Sequence, residues 1–285
     1  MIHALMAAAL AVTVQQQATD TTLTVRANGL LELENYNGGR IVIRTWERNE
    51  LRIRARHGPR VSIEIDRAGS QISVDPEARR GLPGPVDFDI TLPRSFNISL
   101  DAMTSEIDIA DVNGDVEAEN INGNILIAGV TGRVSASSVE GNITIRNTRG
   151  DVSAETVNRN VEITDHQGQV DAETVNGGVV LRGIRSNAVN AETVNGSVQY
   201  EGEFRDGGSY DLSTHNGSIA VIIPDGTNAT VSVETYQGEI ESDFPIALRN
   251  ARGRDRMTFT IGNGGARLDL SSFGGNIRLR RPVSR

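Results

Sequence analysis

Histidine is the side chain whose ordinary pKa suits proton transfer near neutrality, and beyond the first few residues the chain has three: His57, His166 and His215. None stands in a His-x-Glu or His-Glu-x-x-His arrangement, and no Gly-x-Ser-x-Gly occurs. The spacings that hold zinc or build a nucleophile elbow are therefore missing. Cysteine is absent, which removes thiolate metal sites, disulfides and cysteine nucleophiles. Glycine-rich stretches such as Gly262-Asn263-Gly264-Gly265 lack the strand-to-helix context of a phosphate loop and read as turns. A nonapeptide calcium repeat needs an Asp after its glycines. Here that Asp follows glycine in the repeat block only at Asp115 and Asp151. No catalytic residue, metal ligand or cofactor is expected.

Four carboxylates have a more suggestive spacing. Glu119, Glu155, Glu173 and Glu192 fall in one slot of a repeat, interrupted by Ser137. Stacked about 4.8 Å apart they would repel by about 0.9 kcal/mol per pair in water. Such a stripe either recruits cations or a basic partner, or forms a solvated face that discourages aggregation. Residues 101–203 carry 6 Arg against 17 acids, whereas 20–100 carry 12 against 11 and 204–285 carry 10 against 9. The acidic excess of the whole chain, a formal charge of -9, is thus concentrated in the middle and argues against a nucleic-acid partner.

The elements that position these residues follow from the repeat. Glycine recurs every nine residues at 114, 123, 132, 141 and 150, then at 168 and 177, with Arg159 and Ser186 in the vacant slots. One extra residue near Asn187 moves the next glycine to 196. Two residues after each slot stands an apolar side chain, from Val116 and Ile125 to Val170 and Val179. Two further on, small and large alternate: Ala118, Ile127, Ala136, Ile145, Ala154, Ile163, Ala172, Leu181. Another, mostly apolar place lies two before the slots, at Val112, Ile121, Val130, Val139, Val157 and Val175, and His166 fills one of its positions as a corner or wall substitution. The period is therefore 18, in two quasi-equivalent halves, each a short strand and a corner. Asn-Gly at 113, 122, 176 and 195 is expected to supply positive φ at corners. Stacked coils pair every backbone group above and below. Ala on one wall facing Ile or Leu on the other fills a thin interior without many rings, as the 4% aromatic content requires. A simple meander of hairpins would need no double period. The fold class is all-β, a single-domain β-solenoid, β-helix-like, most regular at 112–203.

Outside that block the grammar is looser. Alternating segments occur at 31–34, 41–43, 51–54, 61–65 and 88–92, and Gly196, Gly217 and Gly238 lie 21 apart, which predicts coils lengthened by about three residues. Met1 to Val14 carries no charged side chain and includes Ala4-Leu5-Met6-Ala7-Ala8-Ala9-Leu10-Ala11-Val12. This has the length of a signal-peptide core and is too short to span a bilayer. Residues 1–18 are expected to be a signal peptide, with 19–285 the mature domain and no transmembrane anchor.

Three stretches carry a resemblance. They are Glu34-Asn35-Tyr36-Asn37-Gly38-Gly39 with Val42-Ile43-Arg44-Thr45-Trp46; Leu92-Pro93-Arg94 entering the Ala-Glu-Thr-Val-Asn-Gly repeats; and Glu239-Ile240-Glu241-Ser242-Asp243-Phe244-Pro245 before the Gly-rich ending. In this order the chain resembles a bacterial domain-of-unknown-function family known as putative adhesins, exported proteins with β-strand repeats. The resemblance implies a β-helix-like fold and an envelope or surface location (periplasm, cell surface or extracellular), and it implies no catalytic residues. The leading reading is a non-catalytic exported protein whose rigid rod makes adhesive, structural or docking contacts with an envelope or surface partner. Alternatives are a β-helix carbohydrate-active enzyme and an envelope-stress signalling component.

Overall fold

The computed structural model describes residues 17–244 and 256–282; of the expected signal peptide, residues 1–18, all but Gln17 and Ala18 lie outside the described residues. Every regular element described is a strand. Parallel strands stack in register on two faces. On one face Val116, Val134, Val152, Val170 and Val189 are successive partners, and Ala118, Ala136, Ala154, Ala172 and Ala191 form the column beside them. On the other, Ile125, Ile143, Val161 and Val179 align, next to Ile127, Ile145, Ile163 and Leu181. All of these side chains are buried. The expected 18-residue coil of two halves is the observed one, a β-solenoid.

The extra residue near Asn187 is absorbed as a register shift between Ser186 and Ala188. Ser186 is buried, and its hydroxyl donates to the Ala188 carbonyl (2.7 Å) and accepts from the Ala188 amide (3.0 Å). The irregularity thus leaves no polar atom unpaired at that point. Just beyond it the interior widens, and Tyr200, Phe204 and Tyr210 pack their rings together at 4.8–5.9 Å between centroids. The Tyr210 hydroxyl is satisfied by donating to the Ser186 carbonyl at 2.7 Å.

Three sequence expectations need correction. First, the coils do not follow chain order at the two ends. Leu30–Asn35 lies between Gln71–Ala78 and Asn97–Ala102. At the other end Ala266–Ser272 is inserted between Val198–Thr214 and Ala229–Thr235. The series Gly196, Gly217, Gly238 is therefore not a stack of three, because Gly275 separates the last two. Both ends finish in antiparallel strands, Gln17–Thr24 and Val61–Ala68 at one and Arg256–Ile261 at the other. These break the parallel pattern that another chain could extend.

Second, the two corners of a coil are not equivalent. The apolar residue two before the glycine slot is buried at Val112 and Val130, but 38–47% exposed at Ile121, Val139, Val157 and Val175. Third, the glycines of the Asn-Gly corners serve mainly close approach. Of those four, only Gly123 has positive φ (114°). At Gly177 and Gly196 an added methyl would overlap the backbone carbonyl of the coil beside it, Arg159 and Gly177 respectively.

Candidate functional site

The motif Ala-Glu-Thr-Val-Asn partitions unusually at its exposed corner. Ala154 points inward, Glu155 outward and Thr156 inward, after which Val157 points out to solvent. Thr156 can be buried because its hydroxyl donates to the Gly141 carbonyl of the adjacent coil at 3.0 Å. Thr174, Thr193 and Thr214 repeat the bond to the carbonyls of Arg159, Gly177 and Gly196 at 2.7–2.8 Å. Hydroxyls therefore hold the corner together from inside, and the valines are left outside.

The four carboxylates singled out by spacing are brought into one column. Glu119 is the partner of Ser137, Ser137 of Glu155, Glu155 of Glu173 and Glu173 of Glu192. The column continues past Glu119 to Asp101 and Glu34, which the repeat did not reveal because those coils lie outside its regular part. A second outward column on the same face carries Glu117, Asp171 and Asp211. None of Glu34, Asp101, Glu119, Glu155, Glu173 or Glu192 forms an ion pair with another described residue; most of the Arg–carboxylate pairs lie toward the two ends. Partial burial lifts the Glu173 carboxyl above its ordinary value, with Asp171, Glu155 and Glu192 adding to the effect. Asp211 is also raised, by burial first and then by Asp269.

Beside the acids runs a ladder that the sequence reading did not isolate. Backbone bonds such as Glu140 N to Ile121 O, Asn158 N to Val139 O, Asn176 N to Val157 O and Asn195 N to Val175 O place these apolar residues one per coil. Val194 follows, 39% exposed, and the bonds continue through His215 and Phe273 to Tyr236. At this end the ladder becomes a stack of rings, His215 on Phe273 (4.8 Å, 9°) and Phe273 on Tyr236 (5.0 Å, 8°). Toward the other end Met103 precedes Ile121, at 41% exposure. Acids and apolar ladder together line a groove of about 570 Å³. On the ladder's far side the amides of Asn158, Asn176, Asn195 and Asn216 bond in series, Asn158 to Glu140 and each later one to the Asn before it, at 2.6–2.9 Å. An asparagine ladder thus runs from Asn158 through Asn176 and Asn195 to Asn216; it ends on Glu140 and does not reach Asn122.

The histidines do not meet. His166 is buried, with Nδ1 2.9 Å from the Thr148 hydroxyl and Nε2 3.3 Å from the Gln169 carbonyl. Burial lowers its pKa, the behaviour of a structural corner residue. His57 bonds Thr19 at 3.0 Å at an antiparallel edge, and His215 belongs to the ring stack. A larger groove of about 680 Å³ lies at the opposite corner, lined by Arg149, Asp165, His166, Arg185 and Glu203 among others. Its charges are mixed, and Arg185 is paired with Glu203 at 3.1 Å. No three His, Asp or Glu side chains among the described residues converge as a metal site. No described helix is long and apolar enough to cross a membrane.

No curated protein matches the chain. Among solved structures it is similar to a putative adhesin from Bacteroides fragilis NCTC 9343, with 11% identity, 93% of this chain and 98% of that chain covered, and a TM-score of 0.43. A putative adhesin from Parabacteroides merdae ATCC 43184 is similar at 11% identity, with 94% and 97% covered and a TM-score of 0.41. The family described as Toastrack DUF4097 matches residues 7–280, nearly the whole sequence, and the chain belongs to that family.

Proposed function

We propose that this protein is a non-catalytic rod, exported to the cell envelope or surface, that makes docking or adhesive contacts through its acidic face. Residues 1–18 serve as the signal peptide and 19–285 as one mature domain. The observation that carries the reading is the column of Glu119, Glu155, Glu173 and Glu192, which stands beside exposed apolar side chains without a cationic partner among the described residues. Folding alone gains little from stacking like charges, so a contact made by that face accounts for them better than stability does. A rigid parallel stack also suits presentation of a repeated surface, since each coil fixes the next.

The test is fractionation of cells expressing the tagged protein, with crosslinking in place and N-terminal sequencing of the mature chain. The expected result is a chain beginning near Thr19, outside the cytoplasm, with crosslinks on the acidic face. A cytosolic protein that retains Met1 would refute export. Turnover of a cell-wall glycan that vanishes when a single Asp or Glu is replaced would refute the non-catalytic reading.

A further inference from the structure

In the repeat Ala-Glu-Thr-Val-Asn the side chain with a hydroxyl is buried and the one without is exposed, coil after coil. The buried Thr is explained by its bond to the neighbouring corner. The exposed Val is not explained by the fold, since a solvated β corner would be served equally by Thr or Ser. Single exposed apolar residues are ordinary, but a contiguous line of them marks a contact surface. Here Ile121, Val139, Val157, Val175 and Val194 form that line, each 38–47% exposed, on consecutive coils.

Resting on the docking reading above, we propose that this groove binds a cationic amphipathic helix of a partner polypeptide. The helix lies along the rod with apolar side chains on the Ile121–Val194 ladder and Arg or Lys side chains on the carboxylates of Glu119, Glu155, Glu173 and Glu192. Three arguments select this occupant. The backbone groups at this corner already bond from coil to coil, so side chains must do the recognising and strand addition is closed off. The pitch of a helix, about 5.4 Å per turn, nearly matches the coil spacing of about 4.8 Å. A helix therefore offers one apolar side chain per coil over about four or five turns before drifting out of step. Finally, the wall beside the ladder is anionic and unpaired, so charge complementarity requires a basic flank. A second copy of this chain would bring another acidic column to the same face. A glycan would need open ring faces, whereas His215, Phe273 and Tyr236 stack face to face.

The probe is a fluorescein-labelled peptide of about 18 residues, with Leu on one helical face and Arg on the flanking positions. It is compared with a scrambled peptide of the same composition, by fluorescence anisotropy on the mature protein at low and high salt. The patterned peptide is expected to bind at least roughly tenfold tighter than the scrambled one. Replacing Glu155, Glu173 and Glu192 together by Gln should weaken it roughly tenfold and flatten its salt dependence. Replacing Val157, Val175 and Val194 together by Ser should weaken it by a similar factor with the salt dependence retained. Circular dichroism monitors folding, and the single variants Glu173→Gln and Val175→Ser serve if a triple variant does not fold. Equal binding of the scrambled peptide, or unchanged affinity in either set of variants, would overturn the proposal. So would a dimer, seen by light scattering, that the Val→Ser set dissociates, because the occupant would then be a second copy. Crosslinks on other parts of an exported rod, with no preference for the patterned peptide, would overturn this inference alone. Cytosolic location or glycan turnover would instead remove the reading beneath it.

Discussion

Glu155 and Glu173 are in-register neighbours on adjacent parallel coils, and the second of them is partly buried with Glu192 on its other side. Burial and these charges raise the Glu173 carboxyl above its ordinary 4.5. The folded chain therefore holds this proton more tightly than the unfolded chain. Between 4.5 and the raised folded value, the folded state binds more protons, so this residue's contribution to stability falls as pH rises through that window. Glu173→Gln should then raise the thermal midpoint at neutral pH, by about 0.2–1 kcal/mol of stability for relief of like-charge pairs, with the gain shrinking as pH falls through that window and gone below 4.5. A pH series of melts of both proteins checks it. A gain that is unchanged in acid, or absent at neutrality, would contradict the electrostatic account.

Ala154 is fully buried between Ala136 and Ala172, while Ile145 and Ile163 form part of the buried column of the opposite strand face. The coil can be this thin because one wall is small where the other is large. Ala154→Leu adds three carbons to a column with no slack and is expected to cost about 1–3 kcal/mol by overpacking. Denaturant titration measures the loss. A variant as stable as the parent would show that the two walls stand further apart than described.

The architecture was legible in the sequence where the coil is shortest. Ala118, Ala136, Ala154, Ala172 and Ala191 recur at a spacing that only a stack of coils converts into one column, and the acids of the same strands follow automatically. The ends were not legible. Inserting Leu30–Asn35 and Ala266–Ser272 out of chain order depends on which strand edge is open when the chain returns, and local pattern carries no record of that. The exposed ladder was hidden for a different reason. Val112 and Val157 occupy the same place in a nine-residue pattern, yet one faces the interior and the other solvent. The difference lies in the neighbour: Thr156 fills the interior at one corner, and its hydroxyl reaches a backbone carbonyl that no apolar residue could satisfy.

That distinction predicts an inversion of the usual hydrophobic ranking. Thr156→Val keeps the volume but removes the donor to the Gly141 carbonyl. A buried carbonyl left without its partner costs about 1–3 kcal/mol, so adding a hydrophobic group here should destabilise. Val157→Ser, one residue later and 38% exposed, should change stability by no more than about 0.5 kcal/mol. Paired thermal melts test both at once. A stabilised Thr156→Val or a markedly destabilised Val157→Ser would mean that the corner faces the other way.

The glycines offer the sharpest contrast between close approach and open space. At Gly196 an ideal Cβ would overlap the carbonyl oxygen of Gly177 on the adjacent coil and lie 3.1 Å from the Gly178 nitrogen. Both are backbone atoms, so no side chain can turn aside and the coils must part. Parting them strains the hydrogen bond from the Asn195 backbone N–H to the Val175 carbonyl, 2.7 Å long, and the one that the Asn195 side-chain Nδ2 donates to Asn176 Oδ1 at 2.9 Å. Gly196→Ala is therefore expected to cost about 2–4 kcal/mol, in the upper part of the range for point substitutions. Gly58 is the control, because an added Cβ there meets nothing within 4 Å and its φ is not positive. Alanine at that position should leave the fold intact and stabilise it by about 0.4–1 kcal/mol, through the lower entropy of the unfolded chain. Chemical denaturation of the two single variants decides the matter. Equal effects at Gly196 and Gly58 would show that the corner glycines answer to chain flexibility and not to the contact between coils.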